Sequence, residues 1–277
     1  MRLIDTHAHI HDREFADDID AAIERAASAG VETIVTLGTD LDSSRRAIAL
    51  ADRNPHVLAA AGVHPHDARE ASDADLDALE AMAAHPKVVL VGEIGLDFYR
   101  NLSPRDAQIR VIERQLATAR RVGKPIAVHT REAQDDMLAV LTSYSRDMGA
   151  RLPDGRPLGV MHYFSGDVEA AQRFIELGFL ISVHTSVTHP KAEMLRGVAR
   201  EVPLERLVVE TDSPYGAPQA YRGKRNEPAY VLEAARAIAG TKGMSVEAVA
   251  ATTTANASNL LGVALVATGP SAAAGRD

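Results

Sequence analysis

Short apolar runs rich in Val and Ile recur along the chain at intervals of about 20 to 40 residues, and the stretches between them carry helical periodicity. Eight of these runs are expected as strands, over residues 3–10, 33–38, 57–64, 88–97, 125–130, 159–165, 179–184 and 207–212. Near-continuous hydrophobic strands separated by helices indicate a parallel sheet buried on both faces. Eight such units predict an α/β chain closed into a (β/α)8 TIM barrel, for which about 250 residues is typical. A doubly wound sheet fits less well, because no G-x-G-x-x-G follows the first run and it would use fewer units.

Helix ends are also legible. A helix over 15–29 should end at Gly30, a residue suited to a left-handed position. Another over 105–122 should open with Ser103 as N-cap and Pro104 as first residue, and close at Gly123. No repeat or linker interrupts residues 1–263, which read as one domain, whereas 264–277 has the composition of a disordered tail.

Composition narrows the chemistry. With 46% hydrophobic and 25% charged residues, the 277-residue chain is not mainly disordered. It has no cysteine, which excludes disulfides, thiolate-bound zinc, iron–sulfur clusters and Cys nucleophiles. Any metal must be held by His and carboxylate. The net charge of −8 supplies no global attraction for polyanions, so a nucleic acid would have to be held by local cations. With no apolar leader at Met1 and no run of about 18 apolar residues, a cytoplasmic protein is expected.

The active site of a barrel enzyme lies at the C-terminal ends of its strands, and six of the eight runs end in groups that bind metal or move protons. Period two in the first run points Asp5, His7 and His9 to one side. Glu93 and Asp97 lie in the fourth run, His64 and His66 follow the third, and His129, His162 and Asp212 end the fifth, sixth and eighth. Four imidazoles (His7, His9, His129, His162) with Glu93 and Asp212 exceed the needs of one open catalytic ion but suit two ions sharing a carboxylate. His7, His9 and Asp212 are assigned to one ion and His129 and His162 to the other, with Glu93 bridging. Such a pair activates water, so the reaction class is hydrolysis, with Asp212 the first candidate to take the water proton and Glu93 the next.

Other polar residues receive plainer readings. His56, His85 and His189 fall off the strand ends and are taken as ordinary surface or core residues, while His11 fits either role. Asp40 and Asp167 read as helix N-caps. No G-x-S-x-G supports a serine hydrolase, and Ser165-Gly166 reads as a turn offering N–H groups to an anion.

Seven segments together resemble the TatD family of metal-dependent hydrolases. They are Asp5-Thr-His-Ala-His9, Gly62-Val-His-Pro-His66, Gly92-Glu-Ile-Gly-Leu-Asp97, Pro125-Ile-Ala-Val-His129, His162-Tyr-Phe-Ser-Gly166, Glu210-Thr-Asp-Ser-Pro214 and Arg222-Gly-Lys-Arg-Asn-Glu-Pro228. Their order spans about residues 3 to 262. The resemblance implies an amidohydrolase-like TIM barrel with a dinuclear centre, and a magnesium-dependent deoxyribonuclease of 3′→5′ exonuclease type as in its best-known members. It places the ligands on His7, His9, Glu93, His129, His162 and Asp212 and gives His64 a substrate contact at the rim. Tyr163 departs from the small or sulfur-containing residue common there.

Two divalent ions, magnesium, manganese or zinc, are the expected cofactors; imidazole suits zinc or manganese, whereas magnesium prefers oxygen. The expected substrate is DNA, single-stranded or at 3′ ends, with no membrane or obligate protein partner. Phe98, Tyr99, Tyr163, Phe164, Tyr215 and Tyr221 follow strand ends where bases can stack. Arg100, Arg131, Arg222, Lys224 and Arg225 are the rim cations, and the last three are the first choice for phosphate contacts. An ester or amide hydrolase, such as a D-aminoacyl-tRNA deacylase or lactonase, is the rival enzyme. A nucleic-acid-binding scaffold with a vestigial site is the non-enzymatic one, and the complete ligand set speaks against it.

Overall fold

A computed structural model describes residues 1–264; the expected tail lies, from residue 265 on, outside the described residues. Eight parallel strands follow one another around a single sheet in chain order. They are β1 (Leu3–Ala8), β2 (Val31–Leu37), β3 (Val57–Ala61), β4 (Val88–Asp97), β5 (Ile126–Arg131), β6 (Gly159–Met161), β7 (Phe179–His184) and β8 (Leu207–Glu210). Between them lie α1 (Ile19–Ser28), α2 (Leu41–Arg53), α3 (Asp73–Ala83), α4 (Arg105–Val122), α5 (Gln134–Met148), α6 (Val168–Glu176) and α7 (Glu193–Glu201), with α8 (Val231–Lys242) and α9 (Val246–Leu261) after β8. The last strand meets the first just beyond its own end. Asp212 N donates to His7 O at 2.8 Å, and His9 N to Ser213 O at 2.7 Å. The (β/α)8 barrel expected from the eight apolar runs is therefore the observed fold.

Alternation along the strands sorts the core into two shells. Ile4, Val35, Leu37, Ala60, Leu90, Ala127, Val160, Leu180 and Val208, drawn from all eight strands, pack together as the barrel interior, and Leu260 and Leu261 of α9 join them. Leu3, Ile34, Ala59, Val91, Ile126, Val128, Ile181 and Val209 face outward into the helical layer.

Several expected boundaries move. The ladders of β1, β3, β6 and β8 stop three or more residues, or in β1 and β8 two, before the expected ends. The segments beyond them carry polar side chains at the mouth of the barrel and keep only isolated backbone bonds, such as His64 N to Thr39 O and His162 N to Val128 O. The first helix begins at Ile19 rather than 15, preceded by a separate 3-10 turn over Arg13–Phe15, and Gly30 follows it at φ +90° as expected. Helix α4 runs over the expected residues and ends at Gly123 with φ +66°. Its N-cap, however, is Pro104. Ser103 Oγ is committed elsewhere, donating to His66 O at 2.6 Å and accepting from Arg69 N at 3.0 Å.

Asp40 and Asp167 do cap their helices, accepting from Ser43 N at 2.6 Å and Ala170 N at 2.8 Å. The Asp167 cap places a carboxylate at the N-terminus of α6, directly after the Ser165-Gly166 turn.

Asp5 is a second correction. A register shift in β1 between Asp5 and Ala8 breaks the alternation, so Asp5 does not share the side of His7 and His9. Its buried carboxylate instead accepts from Thr211 N at 2.9 Å and Thr211 Oγ1 at 2.6 Å, tying β1 to the end of β8. Burial pushes its pKa up to about 8, and the bonds from Thr211 only partly oppose this. Between about 4 and 8 the folded chain thus holds a proton that the unfolded chain releases, so this group's contribution to stability falls as pH rises through that window. Asp5→Asn keeps an acceptor for Thr211 N and removes the titration. Its melting temperature relative to the parent should climb between pH 4 and pH 8 in metal-free buffer. A difference independent of pH would refute this account.

Candidate metal centre

Two close backbone approaches bring the polar side chains together at the C-terminal mouth of the barrel. A Cβ on Gly95, at φ +153°, would lie 1.8 Å from His129 O, and one on Gly62 would lie 2.5 Å from Gly92 C. Only glycine lets β4 pass its neighbours this closely. Consequently His64 just after β3, Glu93 in β4 and His129 in β5 converge on one point.

Glu93 is the hub. Its buried carboxylate faces five imidazoles: Oε1 lies 3.1 Å from His129 Nδ1, 3.4 Å from His64 Nε2 and 3.6 Å from His162 Nε2. Oε2 lies 3.3 Å from His7 Nε2 and 3.7 Å from His9 Nε2. Asp212 Oδ1 closes the other side, 3.5 Å from His9, 3.7 Å from His162 and 3.8 Å from His7. Three groups of candidate ligand atoms, each within 4.8 Å of one another, overlap here: His7, His9 and Asp212; His7, Glu93 and His162; and His64, Glu93 and His129. All six expected ligands are therefore brought together. The first trio groups as expected, whereas His162, whose ring stacks on His7 at 3.3 Å, lies nearer His7 than His129. His64 lies deeper than a rim contact, buried against Glu93.

The electrostatics fit a cation cage. Burial raises the Glu93 pKa, but His64, His162 and His7 outweigh it and hold the carboxyl well below its usual range. Burial opposes charge on His9 and His129, yet Asp212 and Asp97 in turn pull each up to about 9. His7 Nε2 and His9 Nε2 lie only 3.3 Å apart. Nitrogens converging on two carboxylates in a buried site are a donor set suited to divalent ions.

Behind the cluster stand residues that sequence reasoning did not assign. Asp97 Oδ2 lies 3.2 Å from His129 Nε2 and 2.9 Å from His66 Nε2. Glu210 Oε1 lies 2.9 Å from His162 Nδ1 and accepts from Tyr163 N at 2.7 Å. These carboxylates fix the imidazole orientations, the usual role of outer partners in a metal site. Buried His184 stacks against Tyr163 at 3.6 Å. The signal for Glu210 and His184 was present, because both end apolar strands as His129 does.

The cluster floors a cleft of about 720 Å3 whose walls include Arg100, Leu102, Arg131, Tyr163 and Tyr215. Of the expected phosphate contacts, Arg225 is committed to the fold: it pairs with Asp18 at 2.7 Å and Glu227 at 2.8 Å and lies over the Phe15 ring. Arg222 and Lys224 are exposed and do not line the cleft. The aromatic set divides likewise. Phe164 is buried against Phe174, Tyr221 stacks on Tyr230 and Phe98 lies beneath Arg105, which leaves Tyr99 and Tyr215 exposed. His56, His85 and His189 lie outside the cluster, as expected, and His11 Nδ1 is 2.7 Å from Thr36 Oγ1.

Known proteins resemble this chain over nearly its whole length. A family model described as TatD related DNase matches residues 4–262. The chain is 38% identical over 258 residues to the uncharacterized metal-dependent hydrolase YabD of Bacillus subtilis, covering 93% of this chain and 98% of that protein. It is 36% identical over 268 residues to the 3′-5′ ssDNA/RNA exonuclease TatD of Citrobacter rodentium, covering 95% and 99%. The crystal structure of YJJV, a TatD homologue from Escherichia coli, superposes with a TM-score of 0.87 at 32% identity, covering 95% of this chain and 99% of that one.

Proposed function

This chain belongs to the TatD-related DNase family of metal-dependent hydrolases, and from that membership we propose that it is a metal-dependent phosphodiesterase that removes nucleotides from the 3′ end of single-stranded DNA. The observation that carries the reading is Glu93, one carboxylate set between five imidazoles with Asp212 opposite. We assign His7, His9 and Asp212 to one divalent ion, His129 and His162 to a second, and Glu93 as the bridge, with His64 supporting its Oε1 side. Two ions held there would activate water and neutralise charge on the phosphate oxygens.

The chain's own groups supply the remainder. The Asp212 side chain is 14% exposed against 5% for Glu93, so of the two Asp212 is the more open to the cleft, and we assign it to accept the proton of the attacking water. Arg100 and Arg131 line the cleft and bind the phosphate backbone, a role first expected of the loop after β8. Glu210 and Asp97 hold the His162 and His129 rings in place. The name of the Citrobacter rodentium relative supports nucleic acid as substrate.

The test is a metal-dependent screen of the purified protein against a labelled DNA strand, beside an aminoacyl ester and a lactone. Stepwise loss of 3′ nucleotides with manganese or magnesium, abolished by chelator, is expected. Faster turnover of the carbonyl substrates would replace this reading with the ester hydrolase one.

A further inference from the structure

Six large hydrophobic side chains are exposed among the described residues: Met1, Tyr99, Leu102, Met194, Tyr215 and Met244. Leu102 and Tyr215 line the metal cleft, and Tyr99 stands at its mouth beneath Arg131, a lining residue. Three of the six thus stand where a ligand must enter. The guanidinium of Arg131 lies 3.9 Å from the centroid of the Tyr99 ring. Both side chains are exposed and Arg131 lines the cleft, so its guanidinium presents a flat face there, backed by the Tyr99 ring.

The position of the pair relative to the metal cluster is fixed twice over. Arg131 follows His129 by two residues on β5, so both project from the same face, about 7 Å apart along the strand. On the neighbouring loop, Arg100 N donates to Asp97 Oδ1 at 2.7 Å, while Asp97 Oδ2 meets His66 and His129. Neither Arg100 nor Arg131 has a carboxylate within 4.0 Å among the described residues, although Arg13, Arg25, Arg46 and Arg225 around the same end of the barrel all do. A planar cation on an aromatic ring, an apolar neighbour and a free second cation make a surface for a π-face bearing a phosphate.

We propose that Tyr99, Arg131 and Leu102 form a nucleobase platform that seats the base of the nucleotide whose phosphate lies over the metal cluster. The proposal rests on the phosphodiesterase reading and adds what distinguishes a nucleotide from any other phosphate diester. Stacking accepts any base, so the platform gives preference for nucleotides without sequence preference.

The test compares two substrates with the same leaving group, thymidine 5′-(4-nitrophenyl phosphate) and methyl 4-nitrophenyl phosphate, on the manganese-loaded protein. The parent should favour the thymidine ester in kcat/KM by about tenfold or more. Tyr99→Ala should cut that preference severalfold through KM, with methyl ester turnover unchanged, and Arg131→Lys, which keeps the charge and loses the plane, should cut the preference by a similar factor. Leu102→Ala gives a third variant that leaves both stacked groups in place, with a smaller loss expected. If Tyr99→Ala or Arg131→Lys retains the full preference, or the parent shows none, the platform is overturned while the phosphodiesterase reading stands. Failure of the parent to cleave either ester or a DNA strand would instead overturn the phosphodiesterase reading itself.

Discussion

Glu93→Gln is expected to abolish metal retention and to lower kcat/KM by at least about a thousandfold, close to 4 kcal/mol of transition-state stabilisation. The side chain keeps its shape, so the loss measures charge. Each oxygen of Glu93 faces a different set of imidazoles, Oε1 toward His64, His129 and His162 and Oε2 toward His7 and His9. An amide presents one acceptor and one donor, and the donor must point at a cation or at an imidazole nitrogen that is itself a ligand. One substitution therefore injures both halves of the cluster, where loss of His9 or His129 injures one.

The readout does not depend on turnover. Manganese should raise the melting temperature of the parent, as any ligand that binds only the folded state does, and should leave that of Glu93→Gln nearly unchanged. A variant that still carries two ions per chain by elemental analysis would show that Glu93 is not the bridge. Because the barrel core lies below the cluster and contains none of its residues, the metal-free variant should remain folded.

The barrel was legible because its signal is repetitive: each strand is an apolar run, and each run contributes at least one residue such as Ile4, Ala127 or Val208 to the interior. The convergence of the six candidate residues was legible for a related reason, since a His or carboxylate in or at the end of an apolar run has little to do there except face the mouth of the barrel. What failed was inference from local sequence about partners distant in the chain. The shift in β1 that removes Asp5 from the site is a property of pairing with β2 and β8, and period two cannot reveal it.

Arg225 fails for the same reason. Three cations within four residues read as a phosphate-binding loop, but Asp18 and Glu227 claim Arg225 from sequence distances of 207 and 2. Arg131 carried no stronger signal than Arg225, yet ring stacking leaves it facing the cleft. Which cation is free is decided by what the fold places beside it.

Asp212→Asn separates proton transfer from metal binding, because Asp212 is argued to do both. The residue sits at φ +59°, a left-handed conformation that Asn accepts as readily as Asp, so its backbone bonds to His7 O and from Tyr215 N should persist. The amide oxygen can still face the ion held by His7 and His9, whereas it cannot take a proton from water at neutral pH. The expected result is a fall in kcat of about 10²- to 10⁴-fold with KM changed much less, the usual range for loss of a general base. The residual rate should rise about tenfold per pH unit on the alkaline side, since hydroxide from solution then supplies the nucleophile that Asp212 no longer helps to form. Asp212→Ala is the informative companion: it loses the metal oxygen too, and alanine tolerates the left-handed backbone poorly, so metal retention and stability should fall with activity. If Asp212→Asn retains more than about a tenth of the parent kcat, Asp212 is a ligand and not the base, and the proton must go to Glu93 or to solvent.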